Sequence, residues 1–374
     1  MSWFTITIAL LAALTMSSVG LAEEQPQCRW VPTKDLTVEG QGWTDTEAPF
    51  DRLPARAKGL VPDAVWHLSR HSAGIAVRFV TDASRVSCRW KLQSASLAMN
   101  HMPATGVSGV DLYVRLPAGQ EVLLGQCWRW VGIGRPEAQA NEKQLVSGLP
   151  AGEHEFLLYL PLYNGVESVE VGVPPEAKLS PGPARPASEA KPVLFYGTSI
   201  TQGGCASRPG MAYPALVGRM LDRPTINLGF SGNGRMDAPG VDLLAELDVA
   251  AYVIDCCPNM SGELVAERTE PLVRKLRDAH PDTPLVLMEN IEYQAAAVLP
   301  GTLRSYTSKN VALRAAYDRL VAGGVTGLHY VEGKPLFGDD GEATVDGTHA
   351  TDLGFMRQAE KLVPALKAVL DGAG

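Results

Sequence analysis

The chain has no long basic run and, beyond its first residues, no long apolar run. Its 374 residues carry 33 basic and 41 acidic side chains, a formal net charge of −8, which disfavours nucleic acid or an anionic membrane as the main partner. No later stretch approaches the roughly 20 apolar residues that span a bilayer. A composition of 45% apolar and 20% charged residues is typical of globular proteins. We therefore expect about two domains and a neutral small molecule or a polymer as partner.

Metal and cofactor motifs are also missing. No pair of the six cysteines has metal-ligand spacing, and adjacent Cys256 and Cys257 cannot point the same way from a strand. We predict buried thiols with one or two disulfides. The glycine-rich segment Gly132–Pro136 lacks the third glycine and the following helix of a dinucleotide-binding motif. No metal or organic cofactor is predicted.

The first residues resemble an export signal. The apolar segment Phe4–Met16 is followed by small residues ending at Ala22, which predicts a signal peptide over 1–22 and a periplasmic or secreted protein. No lysine or arginine precedes the apolar run, so an uncleaved anchor remains the alternative.

Two patterns divide the rest of the chain. From 23 to 173, short β-type runs are broken by turn residues, which predicts an all-β sandwich or jelly roll. The segment 174–192 is too rich in proline for a helix or a central strand, and we place a linker there. From 193 to 374, apolar strands alternate with helical stretches, which predicts an α/β domain with a doubly wound parallel sheet. Ligands bind such sheets at the carboxyl ends of the strands.

Ser199 follows the first strand of this second domain, in Gly197-Thr198-Ser199-Ile200-Thr201. A serine at a sharp strand-to-helix turn is a candidate nucleophile, and nearby glycines would let a substrate approach. Capping a helix or a turn is the commoner fate of such a serine. The position alone does not decide between the two.

Asp346 and His349 form a late Asp-x-x-His motif, about 150 residues after Ser199. A serine nucleophile needs a histidine to take and return its proton, and a carboxylate to hold the imidazole in the correct tautomer. The alternative places Asp346 in an Asp-Gly turn and His349 on the surface before a helix capped by Thr351 or Asp352. The motif becomes informative when it is paired with Ser199.

Donors for an oxyanion are also present at strand ends. Gly229 follows the second strand and can present an unobstructed N–H, and Asn259 follows the third with an amide side chain. Together with the Ser199 N–H, they would form an oxyanion hole. Both residue types are common in loops without any catalytic role.

These four blocks together resemble the SGNH, or GDSL-like, hydrolase superfamily. The resemblance implies a flavodoxin-like sheet, Ser199 as nucleophile, Gly229 and Asn259 as oxyanion donors, and the Asp346–His349 pair as proton relay. In the third block, Cys-Pro-Asn-Met stands where the family has Gly-x-Asn-Asp. The segment Gly109-Val110-Asp111-Leu112-Tyr113 is similar to the Gly-x-Asp-Leu-Tyr signature of bacterial SGNH esterases with an N-terminal β-domain.

Four further residues are candidate substrate contacts. His101 and Met102 lie in a loop before the Gly-x-Asp-Leu-Tyr strand, and we predict that this loop walls the substrate cleft; simple packing between the domains is the alternative. Glu289 and Asn290 follow another strand of the sheet and are placed in the cleft on that ground.

The sequence as a whole predicts an exported serine ester hydrolase that forms an acyl-enzyme on Ser199. Resemblance to carbohydrate esterases favours O-acetyl groups on carbohydrates as substrate. A lipase, a thioesterase or an acyltransferase with the same triad remains an alternative, as does a non-catalytic carbohydrate-binding protein.

Overall fold

The computed structural model describes residues 27–117, 119–120 and 126–372. The predicted signal segment 1–22 lies outside the described residues. None of the described helices combines the length and the apolar character needed to cross a bilayer.

Two antiparallel sheets form the N-terminal half, as predicted. One has the strand order β1-β9-β4-β7, and the other has the order β10-β3-β8-β5-β6, with β2 also pairing with β3. Inward side chains such as Val77, Trp90 and Phe156 form an apolar core between the sheets. The strands are β1 (Arg29–Pro32), β2 (Thr37–Glu39), β3 (Ala76–Thr81), β4 (Arg85–Leu92), β5 (Val110–Arg115), β6 (Trp128–Gly134), β7 (Ala140–Ser147), β8 (His154–Tyr159), β9 (Val166–Val173) and β10 (Leu179–Pro181).

Short helices interrupt this half and the segment after it. They are α1 (Asp63–Ser69), α2 (Ala104–Val107) and α3 (Ala187–Ala190). The proline-rich segment 174–192 thus contains an edge strand, β10, and one helical turn, α3, although we expected no helix there.

A five-stranded parallel sheet forms the C-terminal half, in the order β12-β11-β13-β14-β15. This is the flavodoxin-like order with helices on both faces, and it confirms the predicted fold class. Its strands are β11 (Val193–Gly197), β12 (Thr225–Gly229), β13 (Ala251–Asp255), β14 (Leu285–Met288) and β15 (Leu328–Val331), and its helices are α4 (Ser199–Gln202), α5 (Tyr213–Leu221), α6 (Ala238–Leu244), α7 (Gly262–Ala279), α8 (Pro300–Ala322) and α9 (Asp352–Leu370).

The two halves share a core. The chain between β2 and β3 leaves the sandwich and packs Trp43, Leu53 and Trp66 against the parallel sheet, in one cluster with Leu194 and Leu228. Burying such side chains stabilises the contact by about 2 kcal/mol each. The segment between β2 and β3 therefore packs on one face of the parallel sheet, together with helices of the C-terminal half.

Asp111 of the Gly-x-Asp-Leu-Tyr segment links the two halves by polar contacts. Its side chain is fully buried on β5. One carboxylate oxygen accepts from Arg208 Nη1 (2.8 Å) and from the Gly210 N–H (2.9 Å), and the other accepts from Trp130 Nε1 (2.7 Å). Arg208 also donates to the Tyr113 hydroxyl. Since Arg208 and Gly210 lie between α4 and α5, the motif holds the loop that follows Ser199.

We expect Asp111→Asn to lower the free energy of unfolding by about 3 kcal/mol, because it leaves the Arg208 guanidinium without its buried counter-charge and points an amide N–H at other donors. Urea denaturation measures the change. Glu167→Gln is the control: it removes a salt bridge to Lys91 on the exposed side of the same sandwich, and such pairs contribute at most about 1 kcal/mol. Equal effects of the two substitutions would contradict the role given to Asp111.

Candidate active site

Ser199 is the first residue of α4, directly after β11. Thr198 caps this helix: its side chain accepts from the Ile200 N–H, and the Thr201 hydroxyl accepts from the Thr198 N–H. A Cβ on Gly197 would lie 2.1 Å from Thr201 Oγ1, so the turn requires glycine there. The cap is therefore Thr198, which leaves the Ser199 hydroxyl available for another contact.

That contact is with His349. Ser199 Oγ lies 2.8 Å from His349 Nε2, and His349 Nδ1 lies 2.7 Å from Asp346 Oδ2. Asp346 Oδ1 accepts from the N–H groups of Thr348 (3.0 Å) and His349 (2.8 Å). Gly347, with φ of +86°, supplies the left-handed residue of this tight loop. The structure thus brings the three predicted side chains into one hydrogen-bonded chain.

The structural roles considered as an alternative for this loop, a turn at Asp346 and a cap for the following helix, are also present. Thr351 caps α9 by accepting from the Gly354 N–H, and Asp346 forms its turn with Thr348. The turn orients the Asp346 carboxylate toward the His349 ring, so structural and chemical roles do not compete here.

The charge state of Asp346 fixes the histidine tautomer. Partial burial raises the pKa of Asp346, but hydrogen bonds from the His349 N–H, the His349 ring and the Thr348 N–H outweigh it and hold the pKa below its usual range. The ionised carboxylate only accepts, so His349 Nδ1 carries a proton toward it. His349 Nε2 then presents its lone pair to the Ser199 hydroxyl.

The prediction for Gly229 requires correction. Its N–H donates to Asn227 Oδ1 at 2.9 Å, so this N–H is not available to an oxyanion. A Cβ there would lie 2.1 Å from the Gln202 nitrogen, which explains the glycine by close packing between β12 and α4. Gly229 is a structural residue of the strand.

Asn259 lies against the loop that follows β12. In the amide orientation that satisfies its neighbours, its Oδ1 accepts from the N–H groups of Asn233 (3.0 Å), Gly234 (3.1 Å) and Gly232 (3.3 Å). Its NH2 group then faces away from these three donors. Gly232 is exposed, has φ of +70°, and has open space where a Cβ would be.

Glu289 and Asn290 were predicted to contact the substrate, but their polar groups are bonded within the protein. Asn290 is fully buried, and its side chain donates to the Ile291 carbonyl and accepts from Tyr293 and Lys309. Both carboxylate oxygens of Glu289 accept from protein groups, one from the Tyr330 hydroxyl (2.6 Å) and the other from the Gly333 N–H (2.9 Å). These contacts hold the end of β14, so we withdraw the pair as substrate contacts.

His101 and Met102 have different surroundings. The His101 ring lies 5.9 Å from the His349 ring, centroid to centroid. Met102 is only 2% exposed and belongs to the core cluster under α4, so it packs between the two halves and offers no surface to a substrate. Of these two residues, only His101 therefore remains a predicted part of the wall of the substrate cleft.

Cys205 also faces this site, from the segment after α4. Burial and the Asp346 carboxylate raise the pKa of the Cys205 thiol to about 11. It is therefore a neutral thiol at ordinary pH and no competitor to Ser199 as nucleophile.

Asp255 stabilises α4 by a hydrogen bond from Thr201. It is buried at the end of β13, and its Oδ2 accepts from the hydroxyls of Thr201 (2.9 Å) and Tyr213 (3.0 Å). Burial raises the pKa of Asp255 to about 7, although both hydroxyls oppose the change. Because Thr201 closes the cap on Thr198, Asp255 holds the turn that carries Ser199.

The raised pKa of Asp255 predicts a pH dependence of stability. The folded state favours the protonated carboxyl, so the contribution of Asp255 is fully present below its unfolded pKa of about 4 and is lost as pH rises through about 7. We expect Asp255→Asn to gain stability relative to the wild type over this window, by up to about 4 kcal/mol. Denaturant unfolding of both proteins at several pH values measures the difference, and parallel curves would contradict it.

Arg52 is another residue that the sequence did not reveal. It lies in the segment between β2 and β3 and is only 2% exposed, and its guanidinium donates to the carbonyls of Asn227 (3.0 Å) and Gly229 (2.7 Å). Burial lowers the pKa of Arg52 to about 9. Arg52 thereby fixes the end of β12 and the loop that carries Gly232.

Comparisons with known proteins agree with this arrangement. The model of the GDSL-like lipase/acylhydrolase family matches residues 190–367, and a model of the N-terminus of SGNH-hydrolase-type esterases matches residues 28–179. A Bacteroides ovatus protein assigned as a GDSL-like lipase is 33% identical, covers 92% of this chain and 98% of its own, and superposes with a TM-score of 0.84. No match was found among curated proteins.

Two more distant structures share the fold. A salicylyl-acyltransferase from a tetracycline biosynthetic pathway is 20% identical, with a TM-score of 0.73 over 91% of this chain and 97% of its own. A family two carbohydrate esterase from Cellvibrio japonicus is 15% identical, with a TM-score of 0.59 over 93% of this chain and 99% of its own.

The similarity to the Bacteroides ovatus protein extends along nearly the whole chain, and the two family models cover both of its halves. The chain therefore belongs to the GDSL-like lipase/acylhydrolase family and is an ester hydrolase.

Proposed function

We propose that the chain removes short acyl groups, above all O-acetyl groups, from carbohydrates through an acyl-enzyme on Ser199. The observation that carries the chemistry is the continuous chain from Ser199 Oγ through His349 to Asp346, at 2.8 and 2.7 Å. This is the geometry that a general base needs to take the proton of a serine hydroxyl.

In the proposed reaction, Ser199 Oγ attacks the ester carbonyl carbon while His349 Nε2 takes the serine proton. His349 then gives that proton to the leaving alcohol, and a water molecule repeats the sequence to release the acid. Asp346 stays ionised and stabilises the imidazolium. No metal or organic cofactor has a part in these steps.

We infer that the oxyanion is held by the N–H group of Ser199 and by the NH2 group of the Asn259 amide. Ser199 begins α4, where the backbone N–H groups have no partner within the helix. Gly229 is not among these donors, because its N–H is bonded to Asn227, and the Gly232 N–H is directed at Asn259 Oδ1. Arg52 and Asp255 would act as positioning residues for the two loops.

The substrate class is supported by two arguments. The Cellvibrio japonicus structure with the same two-part fold is a carbohydrate esterase, and residues 1–22 have the composition of an export signal, which would give access to polysaccharides outside the cell.

A lipase is the second candidate, because the segment that contacts the catalytic loop also carries exposed apolar side chains. Val298 and Leu299 are 77% and 52% exposed, and Gln294 of the same segment bonds to Thr344 (3.0 Å), two residues before Asp346. Large exposed apolar side chains near a site can receive a long acyl chain.

Comparing substrates tests the proposal. We expect the purified protein to release acetate from O-acetylated glycans with a higher kcat/KM than it hydrolyses long-chain esters, and the Ser199→Ala protein to release it at least about 10⁴-fold more slowly. A preference for long-chain esters would establish the lipase, and transfer of the acyl group to an acceptor without release of acid would establish an acyltransferase. Either result would overturn the proposed substrate class while leaving the triad in place.

A further inference from the structure

Two side chains with metal-binding atoms lie close to His349 of the triad, so that three such side chains form one cluster. His101 comes from the loop before α2, Cys205 from the segment after α4, and His349 from the loop before α9. One ligand atom from each, two imidazole nitrogens and the thiol sulfur, lies within 4.8 Å of the other two. The proposed hydrolysis uses only His349, so it does not account for the other two.

Both imidazoles present a lone pair. His349 Nδ1 is held by Asp346 Oδ2 (2.7 Å), which leaves Nε2 unprotonated. His101 Nδ1 lies 2.9 Å from Asn100 Oδ1, which only accepts, so the proton is on Nδ1 and His101 Nε2 is likewise unprotonated. Histidine ligands of metals are usually oriented in this way, by a carboxylate or carbonyl on the second nitrogen.

The ligand types narrow the choice of metal. Thiolate and imidazole select Zn²⁺ or copper, whereas Mg²⁺ and Ca²⁺ prefer oxygen ligands. Tetrahedral Zn²⁺ bonds of about 2.0–2.3 Å place ligand atoms roughly 3.3–3.6 Å apart, so atoms that lie within 4.8 Å of one another must approach by up to about 1.5 Å. His101 is partly exposed on its loop, and rotation of its side chain would supply part of this movement.

We propose that His101, Cys205 and His349 bind Zn²⁺ and that the bound ion inhibits the enzyme. The ion takes the Nε2 lone pair of His349, so the base that accepts the Ser199 proton is lost. The thiol proton of Cys205 passes to solvent when the sulfur binds. A fourth position remains for water or Ser199 Oγ, as in three-ligand zinc sites.

Metal titration of the full chain tests this site without reference to turnover. Calorimetry measures Zn²⁺ binding, and Co²⁺ serves as a probe because a cobalt–thiolate bond absorbs in the near ultraviolet. We expect one ion per chain, a cobalt–thiolate band, and at least about tenfold weaker binding in Cys205→Ser and in His101→Gln. The matched controls are Cys127→Ser and His154→Gln, on partly exposed residues of the β-sandwich, and both should bind Zn²⁺ as the wild type does.

Measuring ester hydrolysis in the presence of Zn²⁺ is the second part of the test. Micromolar Zn²⁺ should inhibit hydrolysis by the wild type, EDTA should restore it, and Cys205→Ser should keep its activity and resist the metal. Absence of the cobalt–thiolate band, or equal inhibition of wild type and Cys205→Ser, would overturn the site. Binding that leaves hydrolysis intact would show that His349 is not a ligand. Calorimetry gives its result even if the proposed substrate is wrong.

Discussion

The Ser199→Ala protein should hydrolyse esters with kcat lower by about 10⁴-fold or more, while keeping its fold. Ser199 Oγ is the atom that would bond to the acyl carbon, and the neutral Cys205 thiol cannot substitute for it because its pKa is about 11. Any remaining rate would come from the oxyanion donors and from substrate binding. Steady-state kinetics with an aryl acetate measure the effect.

Two controls separate chemistry from structure. Urea unfolding should show that Ser199→Ala changes stability little, since the cap of α4 is Thr198 and not Ser199. Ser305→Ala, on the exposed face of α8, should retain full activity. Hydrolysis by Ser199→Ala within about tenfold of the wild type would rule out the acyl-enzyme, because loss of a serine nucleophile costs far more than that.

The His349→Gln protein should lose a comparable factor in kcat. The Ser199 proton then has no acceptor, since the ring that lies 2.8 Å from Ser199 Oγ is absent. Because nucleophile and base act as a unit, the double variant Ser199→Ala, His349→Gln should be no slower than about the slower single variant.

His67→Gln is the matched control for this substitution. His67 is exposed on α1, and its replacement should leave kcat unchanged. Multiplicative losses in the double variant would mean that Ser199 and His349 contribute independently, which a proton relay between them does not allow.

The parts of the site that local sequence determines were predicted correctly in position. Asp346 and His349 lie in one tight loop, where three residues of spacing and one glycine suffice to bring carboxylate and imidazole together. The strand ends were also predictable, because short apolar runs bounded by glycine, asparagine and proline fix where each strand stops.

Which N–H groups can bind the oxyanion depends on tertiary contacts, and the spacing of residues along the sequence does not show these contacts. Gly229 has the residue type and the strand position, but Asn227 accepts from its N–H and Arg52, from 177 residues earlier, holds its carbonyl. Whether a given N–H is free is decided by such contacts.

Packing between the two halves was the other feature that the sequence did not reveal. A β-type pattern predicted the sandwich, yet Trp43 and Trp66 from that region lie in the core of the parallel sheet. Proline also marks a helix start in the C-terminal half: α8 begins at Pro300, because proline suits the first turn of a helix.

Covalent labelling tests the central claim most directly. A fluorophosphonate reacts with a serine only when a base activates the hydroxyl, and mass spectrometry of the digested protein locates the adduct. We expect one adduct, on Ser199, that forms in the wild type and is absent from His349→Gln. Failure of Ser199 to react, or equal labelling with and without His349, would contradict it.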